Sequence, residues 1–534
     1  RSIEALAALQ EGDVSAALKA VAKAWKDPKA VRPDVASWLW IVEARAAMLQ
    51  GRYGAARTAF DRLDAFGART GLVSARWRAA VGRAEIYLAK NKSADAERAF
   101  SEAEALLDEE RSSVLFPSRL AALPHARTQA ARQYASLVFD HNPRRAVEIL
   151  ERHQRRRLRG FARIARVDAL PPQRRAQWDA AAVEYADLRD TFDRLEAGRW
   201  GESPATAMQT EAQKRDVEAE VRESFDRAIT ALDDESPIER GLGAIPQDTL
   251  RIGAHRIIDG WIGYAADHDT FHAKRLLPPA DQTSAKAIAQ SLLRTFEPQI
   301  AENNRLIIAA YDEVAQIDFH SLPFGEMPLL ASHVITYATA TPHLTSKQPS
   351  SNGVLIIRDP DGSLPAARDA ASLIERSLAK QDLNVIRLAG TSVTRRALLA
   401  APEVDRWHWA GHARPTEPSL FELGSSRLPV SESAHLTVGD VLAFQNAPRE
   451  VVLAACETAP ANATNLDLPR AFLLAGSQTV VATRRPVRDV DAKALAAAMY
   501  EPEAPKGLAD ALRYAQLKLM KHKGDWTTFR AMVP

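Results

Sequence analysis

From about Ile245 to the C-terminus, short β-type apolar runs alternate with helical stretches, and this alternation constrains the fold of the 534-residue chain more than any other feature. The expected strands are Thr249–Ile258, Thr270–Leu277, Arg305–Tyr311, His333–Ala338, Val354–Arg358, Asn384–Leu388, Arg406–Ala410, Glu450–Ala455 and Thr479–Thr483. The expected helices are Ser284–Phe296, Ala366–Leu378, Ser392–Ala400, Val438–Phe444, Leu468–Ala475, Val490–Met499 and Gly507–Lys521. Strand–helix alternation predicts a mostly parallel sheet with helices on both faces. In such sheets reactive groups gather at the carboxyl ends of strands.

The first third reads as a helical array with a degenerate repeat. LQEGDVSAALKAV begins at Leu9, LQGRYGAARTAF at Leu49, LAKNKSADAERAF at Leu88 and FDHNPRRAVEIL at Phe139. A turn residue (Gly12, Gly51, Asn91, Asn142) precedes small or apolar residues at helical offsets: Ala16, Ala55, Ala96 and Ala146, then Ala20, Ala59, Ala99 and Leu150. Gly and Asn tolerate the left-handed conformation that ends a helix, and alanines let paired helices approach. The pattern resembles tetratricopeptide-type repeats, with a spacing longer than that family's ~34 residues. Stacked units of this kind present a concave surface for a protein partner or trigger, the competing reading being a plain helical domain without a groove.

A basic stretch, ERHQRRRLRGFARIAR, spans Glu151–Arg166. The charge of Arg155–Arg166 could grip nucleic acid or an acidic partner; a solvated helix face is the plainer reading. Two polar segments, Pro172–Ala197 and Ala205–Leu232, fit a helical hairpin turned at Gly201–Pro204. The expected organisation is therefore repeats over 1–170, a helical hairpin or linker over 171–235, and an α/β domain over 245–534.

Composition narrows the function classes. A formal net charge of +2 gives no bulk electrostatic case for nucleic acid or membrane. The longest apolar runs, such as Val451–Ala455, fall far short of the ~20 residues a membrane-spanning helix needs. The N-terminal RSIEALAALQEGD lacks the charged-then-apolar layout of a secretion signal, so a cytoplasmic location is expected. The missing initiator Met points to a trimmed or processed form. There is one cysteine, Cys456, which excludes internal disulfides and Cys-rich zinc sites, and nothing calls for a metal or cofactor. Neither a Gly-rich phosphate loop nor a G-x-S-x-G elbow is present, which argues against a nucleotide-binding or serine-hydrolase fold.

Two strand ends carry chemistry. RWHWAGHA (Arg406–Ala413) runs into Gly411-His412, and REVVLAACET (Arg449–Thr458) runs into Cys456. Neighbouring parallel strands lie about 5 Å apart, so the two side chains would face each other, as a Cys–His dyad requires.

These motifs, with others in order, resemble the CHAT domain, a caspase-like (clan CD) cysteine peptidase module commonly joined to tetratricopeptide repeats. The resemblance rests on HSLPF (His320–Phe324) within Glu313–Met327, on Leu355–Leu378 and on GTSVTRRALL (Gly390–Leu399). It continues through WHWAGHA, VVLAACET, Leu468–Asp489, GLADALRYAQLKL and the last strand in WTTFRAM. It implies Cys456 as nucleophile, His412 as its partner, and backbone N–H groups of Ala413 and Cys456 at the oxyanion. Ala413 stands where the family usually has Gly, a change that would strain a tight turn. Arg484-Arg485 replaces a pair that is often apolar-aromatic, in a loop that usually flanks the substrate cleft. His408, inside the strand, reads as a satisfied core or wall residue, and His320 and His435 as structural. Acids near the strand ends (Glu457, Asp467, Asp489 and Asp491) are candidates for selecting a basic P1 residue. The expectation is a cysteine endopeptidase acting on a protein substrate, regulated by the repeats, of a kind that in bacteria serves defence or programmed death. The alternative is a catalytically silent adaptor that uses the α/β domain as scaffold.

Overall fold

The computed structural model describes residues 2–26, 31, 33–109, 124–156, 158, 170–197, 204–231, 241–277, 284–341, 353–360, 362–381, 383–415, 426–431, 434–442, 444, 447–456, 458–459 and 466–534. The chain divides into two units, one of Arg1–Ser113 with Pro124–Ile149 and one that contains Leu150–Pro534.

Helices build the first unit: α1 (Ser2–Gln10), α2 (Val14–Ala24), α3 (Pro33–Leu49), α4 (Tyr53–Thr70), α5 (Val73–Ala89), α6 (Ser93–Glu109), α7 (Pro124–Phe139) and the start of α8 (Pro143–Arg156). Three of the expected turn residues are left-handed: Gly12 at φ 81°, Gly51 at φ 70° and Asn91 at φ 55°. Asn142 works differently. Its side chain caps α8 by accepting from the Arg145 N–H at 3.1 Å. The buried alanines are Ala17, Ala56, Ala96 and Ala146, whereas Ala16 is half-buried and Ala55 exposed. The first two expected positions were one residue early, because the left-handed turn residue shifts the helical phase. Gly82 allows close packing of α4 on α5: a Cβ there would sit 2.1 Å from the Phe60 ring.

In the second unit the apolar runs form an eleven-stranded sheet. Its strands are β1 (Thr249–Ile257), β2 (Gly260–Ala266), β3 (Phe271–Leu276), β4 (Arg305–Ala310), β5 (Val334–Ala338) and β6 (Val354–Arg358), followed by β7 (Val385–Ala389), β8 (Arg406–Ala410), β9 (Glu450–Ala454), β10 (Thr479–Thr483) and β11 (Phe529–Val533). The spatial order is β3-β2-β1-β4-β5-β11-β10-β9-β8-β6-β7. The sheet is mostly parallel, in two blocks of opposite direction. Strands β10, β9, β8, β6 and β7 run one way. Strands β11, β5, β4 and β1 run the other, and the antiparallel β10–β11 pair joins the blocks. The carboxyl ends of the two blocks therefore lie on opposite edges. The β1–β2–β3 meander closes one side.

Central strands alternate between two cores. Trp407, Trp409, Val451 and Leu453 point to a face covered by α9 (Pro172–Ala197), α10 (Pro204–Ala231) and the short helix Leu468–Leu474, with Trp178 and Phe472 among the packed side chains. Val452, Val481 and Ile356 point to the other face. There they meet α11 (Pro365–Ala379), α12 (Asp489–Met499) and α13 (Leu508–Lys521) through Ile374, Leu495 and Leu512. Both faces of the central strands are thus apolar, as a covered parallel sheet requires.

A buried ion cluster pins α8, in the part that belongs to the second unit, to β1 and its neighbours. Glu151 accepts hydrogen bonds from Arg251 (2.8 Å), Tyr264 (2.7 Å) and Tyr311 (3.3 Å), and pairs with His255 (3.1 Å). Of the basic stretch, Arg155 and Leu158 are buried, Arg156 is half-buried, and 157 and 159–166 lie outside the described residues.

Candidate active site

Strands β8 and β9 are adjacent and parallel, paired in unbroken register from Arg406↔Glu450 to Ala410↔Ala454. An ion pair fixes that register at its start, with Arg406 Nε donating to Glu450 at 2.9 Å. His412 and Cys456 each lie two residues past the last pair. Side chains alternate along a strand, so His408 and Ala410 share a face with Val452 and Ala454. That is the face of α11 and α12, and Ala454 and Cys456 pack against its core. His412 and Cys456 line one cleft, together with Gly411, Ala410 and Ala454.

Local packing holds both turns. Trp409 Nε1 donates to the His412 carbonyl at 3.3 Å, fastening the backbone just past the strand. Gly411 sits in a tight spot: a Cβ there would lie 3.0 Å from Pro360 Cδ and 3.1 Å from Trp409 Nε1. Beyond Cys456, the Thr483 N–H donates to Thr458 Oγ1 at 3.0 Å and the Ala459 N–H to the Thr483 carbonyl at 2.9 Å. Thr483 Oγ1 also donates to the Ala455 carbonyl. The end of β10 thereby anchors the turn that carries Cys456. Cys456 is half-buried, and its thiol points at the Val487 carbonyl, 3.7 Å away. Ala413, half-buried, has a negative φ, so the expected strain at this position is absent.

The cleft is lined by charge of both signs, the Asp489 carboxylate and the Lys493 ammonium. The N-terminal ends of α11 (Leu364, Ala366, Ala367) and α12 (Asp489, Ala492) line it, and helix N-termini carry partial positive charge. Thiolates and oxyanions are stabilised by such surroundings.

The candidate acids separate clearly. Asp489 is exposed and lines the cleft. Asp491 is buried and paired with Arg488 at 2.6 Å. Asp467 is 2% exposed and caps the helix Leu468–Leu474, accepting from the Arg470 N–H at 2.9 Å and pairing with its guanidinium at 2.8 Å. Glu457 lies outside the described residues. Arg484 and Arg485 are committed elsewhere: Arg484 donates to the Ala315 carbonyl, and Arg485 pairs with Asp318 (3.0 Å) and Asp525 (3.1 Å). Burial, and then the Arg530 charge, pushes the Arg484 pKa down to about 9.

The other histidines are placed as follows. His320 uses both ring nitrogens, on the Tyr337 hydroxyl (2.6 Å) and the Thr527 carbonyl (2.9 Å), and burial pushes its pKa down to about 4. His408 is fully buried in the cleft wall, with Nδ1 on the Tyr500 hydroxyl at 3.2 Å. Sequence reasoning took it for a satisfied wall residue, but its Nε2 has no hydrogen-bond partner. His435 sits in a short ladder, its carbonyl accepting from Arg395 at 2.8 Å. Among the described residues, no group of three or more His, Cys, Asp or Glu converges as metal ligands. No helix among them is long and apolar enough to cross a membrane.

With that geometry in place, comparison with known families is decisive for this half of the chain: residues 282–532 match the CHAT domain. This segment is a CHAT domain. In front of it stand the helical array, the helical hairpin α9–α10 and the β1–β2–β3 meander. Solved structures with a related course include two crystal structures of the Saccharomyces cerevisiae separase–securin complex. One, at 2.6 Å resolution, shares 8% identity at a TM-score of 0.37 and aligns over 99% of this chain and 46% of the other. The second, at 3.0 Å, shares 7% at a TM-score of 0.36, over 94% and 50%. The chain thus spans about half the length of the solved chains it matches. No curated protein sequence matches it.

Proposed function

We propose that this chain is a cysteine endopeptidase that cuts a protein substrate through a Cys456–His412 dyad. The observation that supports the reading is that the sole thiol and an imidazole, each two residues past the end of one of two adjacent parallel strands, line one cleft of a CHAT domain. His412 takes the thiol proton, and the Cys456 sulfur attacks the scissile carbonyl carbon to give a tetrahedral oxyanion. Backbone N–H groups of Ala413 and Cys456 stabilise that oxyanion, a contribution of about 3–4 kcal/mol per donor where it has been isolated. The C–N bond breaks as His412 returns the proton to the leaving amine. Water, deprotonated by the same imidazole, then releases the acyl group and restores the thiol. Asp489 on the cleft rim supports selection of a basic P1 side chain. The helical array binds the partner or trigger that controls cleavage, and the family resemblance supports a cytoplasmic role in bacterial defence or programmed death.

A peptidyl acyloxymethyl ketone with lysine or arginine at P1 tests this. It labels the full chain, with candidate triggers supplied, and fails to label Cys456→Ala. Labelling that survives Cys456→Ala, or none in any condition, overturns the proposal; the second outcome favours the adaptor.

A further inference from the structure

The dyad leaves one polar group of the cleft unused. His408 lines the same cleft as His412 and is 0% exposed. Its ring meets Tyr500 edge-on, with centroids 5.3 Å apart and Nδ1 3.2 Å from the phenol oxygen. Nδ1 is therefore occupied. Nε2, on the opposite edge of the ring, has no partner and is closed to solvent, yet the ring forms part of the cleft wall beside Ala410 and Ala454. Buried polar side-chain atoms are nearly always paired in folded proteins, so an orphan on the wall of a cleft asks for a partner brought by a ligand.

The chemistry of that partner follows from the surroundings. Burial, reinforced by the Arg406 charge, pushes the His408 pKa down to about 3, so the ring is neutral and offers one donor and one acceptor nitrogen. In the tautomer where Nδ1–H donates to the Tyr500 hydroxyl, the one required for an acceptor facing the cleft, Nε2 keeps a free lone pair. Ala366, Ala367, Ala370, Ala492 and Ala496 complete the walls, so small side chains leave room for a long one. At the rim Lys493 is paired with Asp369 at 2.8 Å, while Asp489 brings a negative charge to the opening.

Building on the peptidase reading, we propose that His408 is a specificity-determining residue, its Nε2 accepting a hydrogen bond from the N–H terminus of a lysine or arginine P1 side chain. The slot is then an acid at the mouth, apolar walls along the alkyl stem, and a neutral acceptor at the base.

The test uses the full chain carrying Cys456→Ala, so that binding is read without turnover. Two fluorescent tetrapeptide libraries, alike except for P1 fixed as lysine or as norleucine, are titrated by anisotropy. The parent binds the lysine library more tightly. His408→Leu lowers the lysine-to-norleucine ratio about ten- to a hundredfold, the effect of losing a hydrogen bond to a charged group. Tyr500→Phe keeps the imidazole but frees its tautomer, and moves the ratio partway in the same direction; it decides the matter if His408→Leu melts out. The proposal is overturned if the ratio survives His408→Leu, if Tyr500→Phe leaves it intact when His408→Leu is unfolded, or if the parent binds neither library. A His408-dependent lysine preference in a chain whose intact Cys456 resists ketone labelling sinks the peptidase reading while leaving this slot standing.

Discussion

Glu151→Gln removes one charge from the cluster of Glu151, Arg251, His255, Tyr264 and Tyr311 and changes almost no volume. The carboxylate is 0% exposed, and each of its oxygens serves two partners. Oε1 takes Tyr264 and His255, and Oε2 takes Arg251 and Tyr311. An amide can keep its oxygen towards Arg251 and turn its NH₂ to Tyr264 and His255, both of which have an acceptor to offer. Hydrogen bonds are therefore largely replaceable, and what is lost is the charge opposite a buried guanidinium. Breaking a buried pair from one side costs about 3–5 kcal/mol, and the retained bonds put Glu151→Gln near 3. Burial alone would raise the Glu151 pKa, but Arg251 and His255 outweigh it and hold the carboxyl well below the usual carboxylate range. The folded-state pKa is thus depressed. The group's contribution is present in full above the unfolded value of about 4.3 and is lost as pH falls through the folded value. Urea unfolding followed at Trp fluorescence reads this directly. The gap between parent and Glu151→Gln narrows as pH falls below about 4. Adding Arg251→Met recovers part of the loss, since the two sites are coupled. A gap under 0.5 kcal/mol at pH 7, or one that widens in acid, refutes the reasoning.

Two shorter predictions bear on the site. Gly411→Ala crowds Pro360 and Trp409 by a few tenths of an ångström, so it lowers stability by about 1–3 kcal/mol. Because the shift falls on the residue before His412, turnover of a fluorogenic peptide drops more than the folded fraction does; unchanged turnover contradicts this account of the turn. Asp489→Asn removes an exposed charge at the cleft mouth, and an exposed ion pair is worth up to about 1 kcal/mol. Turnover of P1-lysine substrates therefore falls two- to fivefold in kcat/KM and weakens further with salt only in the parent; equal salt dependence in both chains excludes Asp489 from P1 binding.

How much of this was readable in the sequence depended on whether the deciding interaction was local. Runs such as Val451–Leu453 and Leu355–Ile357 announced covered strands because both their faces are apolar. Strand β2 escaped because WIGYAA carries Gly263 at its centre, which weakens a strand signal. The structure supplies the reason for that glycine: a Cβ would sit 2.7 Å from both Leu276 and Leu292. The reversal of direction between β10 and β11 was invisible, since periodicity fixes which way side chains face and says nothing of which way a strand runs. Arg484 and Arg485 looked like cleft residues for a similar reason. Arg484 reaches Ala315 and Arg485 reaches Asp318, each more than 150 positions away, while Asp525, also paired with Arg485, is 40 away.

The dyad is the instructive middle case. Each proposed dyad residue was plain at its own strand end, but the cleft they share depends on a register, and a slip by one residue would turn one of the two strands' side chains to the opposite core. The chain carries a local mark for that register. His412 stands six residues after Arg406, and Cys456 six after Glu450. Arg406 and Glu450 are the first paired residues of β8 and β9, and they hold each other at 2.9 Å. Opposite charges at equal distances before a His and a Cys would have predicted the pairing. An ion pair at the entry of two parallel strands thus marks the register whose continuation leads to the cleft that His412 and Cys456 both line.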